Sequence, residues 1–381
     1  MPQNRMPRLT GAEKMKTFFL TRLCPPLAGR GVRGWWRVMR EHQFDVDPAF
    51  WPKVALNLLC SSLTSIMRRR ELYKLGSQMD SVTIPPPLFV LGHYRSGTTL
   101  LQNLLSVDHR LGSLSTFQAY NPLTFGVFEP YGKRIAGFLM PRKRIVDAMP
   151  MGTDEPIEDE LALLMITGLS PYLGFIFSRR FEQFQRYLSF REATSEEVEC
   201  WKSGFAWFMK RLTLAHGKPM VMKSPPHTAR IRLLLEMFPD ARFVHIHRDP
   251  YKVFQSSRHL LEHVTAMVGL QHPQRAKFDE RILRHYRDMY DAFFEQRPLI
   301  PEGRFHEIRF ADLARDPMGQ MEQMYEALDL NGFEPIREPL QTYVESLKDY
   351  RKNEYEPLTD DTRRKVAQAW QRNFDAWKYE I

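Results

Sequence analysis

Cysteine is scarce in this 381-residue chain: Cys24, Cys60 and Cys200 are the three, odd in number and far apart. That excludes a disulfide framework and any Cys-based metal spacing, and it suits a reducing compartment such as the cytoplasm. No run reaches the roughly 18 consecutive apolar residues of a membrane span. The N-terminus is basic but lacks a long apolar stretch before a cleavage site, so a signal peptide is not expected. Internal repeats and low-complexity linkers are missing too. Acidic residues are in deficit, 45 against 54 Lys and Arg, for a net charge of +9. That balance suits an anionic ligand or an anionic surface. The basic residues are scattered and form no nucleic-acid module, which argues against nucleic acid as a partner.

What is present begins with 43% hydrophobic residues, enough for a sizeable core. The most informative stretch is Pro85-Pro-Pro-Leu-Phe-Val-Leu-Gly-His-Tyr-Arg-Ser-Gly-Thr-Thr-Leu-Leu101. Three prolines block a helix, and Leu88 to Leu91 read as a buried strand. A glycine-bounded loop follows from Gly92 to Gly97, and Thr98 starts a helix. Strand, loop and helix N-terminus form an anion-binding device, because free N–H groups and the helix dipole converge there. Gly92 and Gly97 keep the spacing of a Walker loop, but Thr98 stands where its lysine belongs. The cation sits within the loop, as Arg95. Arg95, Ser96, Gly97, Thr98 and Thr99 are therefore the candidate ligands of a phosphate that carries no Mg²⁺. A strand–helix turn without a ligand is the plainer alternative.

A second segment, Lys218 to Ser257, reads as strand, helix, strand, helix. Met220 to Met222 lead to Lys223, Ala229 to Phe238 form a helix, and Arg242 to His247 form a strand. Asp249 and Pro250 then open another helix. This order predicts a parallel sheet with right-handed crossovers. Arg95, Lys223 and Arg248 fall at strand carboxyl ends, where open α/β sheets bind ligands. His93, His245 and His247 read as structural, and no grouping supports a metal.

The R-S-G-T-T string from Arg95 to Thr99 resembles the 5′-phosphosulfate loop of sulfotransferases, which use 3′-phosphoadenosine 5′-phosphosulfate (PAPS). Arg248 and Ser256, eight residues apart, match the pair with which that family grips the 3′-phosphate. Lys223-Ser-Pro-Pro-His227 resembles the K-T-H-x-P motif, and Arg309-Phe-Ala-Asp-Leu-Ala-Arg-Asp-Pro317 resembles R-Y-E-D-L-x-x-D-P. The resemblance spans about residues 85 to 330. It is closest to a bacterial-type branch with R-S-G-T-T, D-E-P-x-E-D-E and K-S-P-P-H-T. It implies an α/β, P-loop NTPase-like three-layer fold with a central parallel sheet. It also implies PAPS as co-substrate, no metal, and transfer of the sulfuryl group to a hydroxyl or amine. The acceptor would be a small hydroxyl or phenol compound, with lipid and glycan both open.

The catalytic base is less determined. The family's histidine position holds Pro225, with His227 two residues on. The stretch after the loop where other branches carry a glutamate, Gly112-Ser-Leu-Ser-Thr116, has none. Asp154-Glu-Pro-Ile-Glu-Asp-Glu160 carries five acids in seven residues. It reads equally as an acidic helix start favoured by the dipole and as a site in which Glu158 or Glu155 is the base. Arg95 and Lys223 are the cations expected to act in the transfer. Arg351-Lys352-Asn353 is the nearest counterpart of the family's late basic element over the nucleotide, and a solvated charge run reads as well.

The expected organisation is a helical appendage over 1–82, a core over 83–330 and a helical tail over 331–381. An insertion over about 111–215, rich in aromatic rings that are mostly core, would shape the acceptor pocket. The tail is expected to end in a helix around Val366, Trp370, Phe374 and Trp377. Val54 to Met67, followed by Arg68-Arg-Arg70, admits two readings: a helix packed on its own domain, the commoner fate, or one lying at a membrane periphery. Two other classes remain: a P-loop nucleotide kinase or NTPase, against which Thr98 argues, and a non-catalytic nucleotide-binding or membrane-surface protein.

Overall fold

A computed structural model describes residues 25–139, 152–347 and 355–381. Its centre is a five-stranded sheet of β1 (Leu88–Leu91), β2 (Gly112–Ser113), β3 (Met220–Lys223), β4 (Arg242–His247) and β5 (Phe305–Arg309). The spatial order is β2-β3-β1-β4-β5, and every pairing is parallel. Leu88 pairs with Val221 on one side and Arg242 on the other, so β1 lies at the middle. Strands buried on both faces need continuous apolar runs, and Leu88 to Leu91 are buried throughout.

Alternation along the strands divides the core into two layers. Leu88, Val90, Val244 and Ile246 face one side. There they meet α3 (Thr98–Ser106) and two helices that follow β5 after the short α11 (Phe310–Arg315). These are α12 (Pro317–Ala327) and α13 (Glu334–Ser346). Phe89, Leu91 and Phe243 face the other. That layer holds α7 (Ser195–His216), α8 (Ile231–Met237), α9 (Pro250–Val268) and α10 (Phe278–Gln296). The result is the three-layer α/β arrangement the sequence implied.

Before the sheet come α1 (Val32–Glu41) and α2 (Trp51–Leu75). Between β2 and β3 lie α4 (Thr116–Tyr120), α5 (Phe125–Leu139) and α6 (Glu160–Thr167), followed by α7. Most rings of this stretch are core: Phe117, Phe125, Phe175, Phe177, Phe181 and Phe184 are all buried.

Three readings need adjustment. β2 lies inside the stretch 111–215 read as an insertion; Gly112 N–H donates to Pro219 O at 2.8 Å and joins it to the sheet edge. The segment Ala229 to Phe238 is a 3₁₀ turn over Pro225–Ala229 followed by the shorter α8. The expected final helix is two, α14 (Asp360–Ala369) and α15 (Gln371–Trp377). The break falls at Trp370, whose indole N–H reaches Leu283 O at 2.9 Å and whose ring stacks on Tyr286. Val366, Trp370, Phe374 and Trp377 are all buried.

Candidate active site

The loop after β1 is shaped by close approaches. Gly92 has φ +141 and lies against the carbonyl of Ile246, where a Cβ would come within 2.5 Å. Its N–H donates to Thr228 Oγ at 2.7 Å, so the loop is buttoned to the turn after β3. Gly97 has φ +110, and a Cβ there would run into the ring of Phe310. Arg95 itself holds a left-handed φ of 71, a conformation that costs a non-glycine residue about 1–3 kcal/mol and clusters at functional sites. Ser96 and Thr98 are buried, and Ser96 Oγ donates to His93 O at 2.7 Å.

Arg95 turns toward α9. Its Nε donates to Ser256 Oγ at 2.7 Å, and Ser256 Oγ pairs with the Tyr355 hydroxyl at 2.9 Å. Arg248 closes the group: its guanidinium donates to Arg95 O at 3.2 Å and lies 4.5 Å over the Phe310 ring. Burial, and then the charge of Arg95, push the Arg248 guanidinium below its ordinary pKa. The Arg248 guanidinium and the Ser256 hydroxyl make a donor set that fits a phosphate dianion, with the Arg95 loop beside them.

The second group forms at the end of β3. Lys223 Nζ stands 3.6 Å from Glu158 Oε2, and Tyr172 donates its hydroxyl to the same oxygen at 3.1 Å. Glu158 keeps 24% of its side chain exposed, whereas Lys223 is nearly enclosed. The two carboxylates beyond it go elsewhere. Asp159 Oδ2 pairs with His227 Nε2 at 2.6 Å, both fully buried. Glu160 receives Arg230 through both oxygens, at 2.7 and 3.1 Å, equally buried. Consecutive acids thus meet Lys223, His227 and Arg230 in order.

Glu155 stands apart from these pairs. Its carbonyl accepts from Thr116 N–H and Oγ, both at 2.9 Å, and its side chain lies against Gly152. Burial, and then Asp154, raise its carboxyl pKa. Ser115 bridges to Pro156, and Ile157 N–H donates to Leu114 O at 3.1 Å. The acidic run therefore passes alongside Gly112–Thr116 and is held there by backbone.

A model of the sulfotransferase family matches residues 86–335. The omega-hydroxy-beta-dihydromenaquinone-9 sulfotransferase Stf3 of Mycobacterium bovis is 33% identical over 357 residues, 93% of this chain and 92% of that protein. The chain belongs to the sulfotransferase family. The Mycobacterium tuberculosis Stf3 gives the same identity and coverage. Among solved structures, sulfotransferase STF9 from Mycobacterium avium shares the fold with TM-score 0.69 at 19% identity, covering 99% of both chains. STF1 from Mycobacterium tuberculosis follows at TM-score 0.60 and 17% identity, covering 96% of this chain and 99% of that one.

For a sulfotransferase, the fold assembles two neighbourhoods from the residues singled out in the sequence. Arg95, Ser96, Gly97, Thr98 and Thr99 share one loop and helix start, with Arg248 and Ser256 gathered beside Arg95. Lys223 and Glu158 form the other. His227 lies in the core, with its ring stacked 5.4 Å from Phe205. Arg351 and Lys352 fall outside the described residues. Sequence reasoning gave no role to Tyr172, Thr228 or Phe310. Thr228 and Phe310 stand inside recognised motifs, which was the available signal. Tyr172 carried none. Among the described residues, no three His, Cys, Asp or Glu side chains group as metal ligands do.

The buried Arg230–Glu160 pair makes a stability test. Glu160→Gln leaves a fully buried guanidinium without its counter-charge, which costs about 3–5 kcal/mol. Urea unfolding should show a midpoint lowered accordingly, with the slope unchanged.

Proposed function

We propose that this sulfotransferase takes the sulfuryl group from PAPS and delivers it in line to a hydroxyl of a lipid-like acceptor. The observation that carries this reading is the meeting of Lys223 and Glu158, 3.6 Å apart at the carboxyl end of β3. A cation and a partly exposed carboxylate are what such a transfer needs from the protein.

The loop residues Arg95 to Thr99 hold the 5′-phosphosulfate with backbone N–H groups and the start of α3. Arg248 and Ser256 hold the 3′-phosphate, which distinguishes PAPS from its precursor. As the acceptor oxygen bonds to sulfur, the bond from sulfur to the 5′-phosphate oxygen breaks. Lys223 balances charge on that departing oxygen. Glu158 takes the acceptor proton. Its neighbours fit less well: His227 is enclosed in the core against Asp159, and it is Glu158, not Glu155, that stands beside Lys223. The lipid-like acceptor is supported by the name of the 33% identical Stf3 relatives.

The test is binding. Adenosine 3′,5′-bisphosphate should raise thermal stability without added metal, by about 2.7 kcal/mol at a hundredfold excess over Kd. A preference for ATP with strict Mg²⁺ dependence would overturn the reading. Arg248→Ala should weaken the bisphosphate by about 2–5 kcal/mol, since a desolvated charge pair is lost. Adenosine 5′-phosphosulfate, without the 3′ group, should be affected much less in calorimetric titration. Equal losses for both ligands would remove Arg248 from the 3′-phosphate. A screen of lipid extracts with isotopically labelled donor, read by mass spectrometry, identifies the acceptor.

A further inference from the structure

α2 is built inside out. A surface helix ordinarily turns its apolar stripe to the core and its polar residues to water. α2 buries Lys53, Asn57, Ser61, Thr64 and Glu71, with Val54 as the apolar exception. These polar groups make the inward contacts. Asn57 Oδ1 accepts from Leu27 N–H at 3.0 Å, and Thr64 donates to Ala28 O at 3.0 Å. Lys53 Nζ donates to Met267 O at 2.7 Å. The Glu71 carboxylate caps α5 through the N–H groups of Gly126 and Val127, at 3.0 and 2.7 Å, and receives Arg211.

The opposite face is apolar and open. Trp51 is 48% exposed, Leu59 59%, Leu63 49%, Ile66 59% and Tyr73 92%. Their spacing sets them along one stripe of the helix. Arg69 and Arg70 continue that stripe and are exposed; Arg68, also exposed, lies toward the other side of the helix. Glu71 is the one acid of α2, and it is buried. α1 packs against α2 and exposes Trp36 among Arg33, Arg37 and Arg40, with its one acid, Glu41, exposed at its end. Large apolar side chains bordered by arginines, with no exposed carboxylate on α2, match an interfacial helix: rings and aliphatic groups enter the acyl boundary while guanidiniums meet headgroup phosphates. Among the described residues no helix is long and apolar enough to cross a membrane, so the contact is one of surface.

We propose that α2, with Trp36 beside it, docks this enzyme onto an anionic lipid bilayer. The arginines select the occupant. A second copy of the chain on the same face would bring more arginines and no exposed acid from α2; a layer of anionic headgroups supplies the opposite charge.

The full-length protein should co-sediment with phosphatidylcholine vesicles that contain phosphatidylglycerol, and far less with phosphatidylcholine alone. Brominated lipid should quench its tryptophan fluorescence, a readout that needs no variant. Leu59→Asp with Ile66→Asp should lower partitioning about tenfold or more, because each loses a buried aliphatic contact. Arg69→Glu with Arg70→Glu should lower it by about fivefold per arginine at low salt. Both double variants should keep the thermal shift with adenosine 3′,5′-bisphosphate, which shows that the fold is intact. The proposal is overturned if the wild-type protein stays in the supernatant with anionic vesicles. It is equally overturned if the aspartate variant partitions unchanged. A solution dimer that Leu59→Asp with Ile66→Asp dissociates would assign the face to a second copy and overturn it as well.

Discussion

Glu158→Gln is expected to lower sulfation turnover by about 10²–10⁴-fold, the scale for losing a general base. Glutamine keeps the size of the side chain and can still accept from Tyr172, so the pocket should persist. It cannot take the acceptor proton. The backbone around it is fixed independently, because Asp159 and Glu160 are anchored in the core by His227 and Arg230. Bisphosphate affinity should therefore be unchanged while single-turnover sulfation collapses. Burial, the main cause that holds the Tyr172 hydroxyl well above its ordinary pKa, persists without the Glu158 charge, so tyrosine remains a donor and does not replace the lost base. Near-normal turnover in the glutamine variant would place the base elsewhere. Glu155→Gln serves as the comparison and should be the milder of the two.

Lys223→Met should reduce kcat by about 10²–10³-fold, the loss seen when one group that stabilises developing charge is removed. The effect should fall on kcat far more than on the donor KM. An interaction made mainly in the transition state leaves ground-state affinity nearly untouched. Methionine retains most of the volume of the enclosed lysine stem, so the variant separates charge from packing. A raised donor KM with normal kcat would make Lys223 a binding residue alone.

Much of the sheet was legible because β1 and β3 are short, largely apolar runs, β4 alternates apolar and polar residues, and the strands have abrupt ends. Leu88–Leu91 follow three prolines and precede Gly92, and Arg242–His247 end at the Asp249-Pro250 helix start. β2, two residues long, has no periodicity to read. The acidic run was legible as a run but not as three separate assignments. Asp159 occupies the N-cap position of α6, yet its side chain does not cap the helix and goes to His227 instead. That partner lies 68 residues away, beyond any local pattern. α2 shows the same limit. Its apolar spacing was visible, but periodicity gives a stripe without saying which way it faces. The answer came from Asn57, Lys53 and Glu71, whose partners are 30, 214 and 55 residues distant. Tyr172 was silent because a single buried tyrosine looks like core until its hydroxyl partner is known.

The stepwise matching of Glu158, Asp159 and Glu160 with Lys223, His227 and Arg230 bears on how such enzymes diversify. It acts as a seam between the catalytic frame and the excursion that precedes it. A one-residue slip would set Asp159 against Lys223 and Glu160 against His227, and would strand Arg230 in the core. Insertions or deletions between Thr116 and Pro156 should leave folding intact only when the chain re-enters with these three pairs in phase. A graft of another relative's excursion should therefore fold when its acidic triplet is kept in frame, and fail when the triplet is shifted by one.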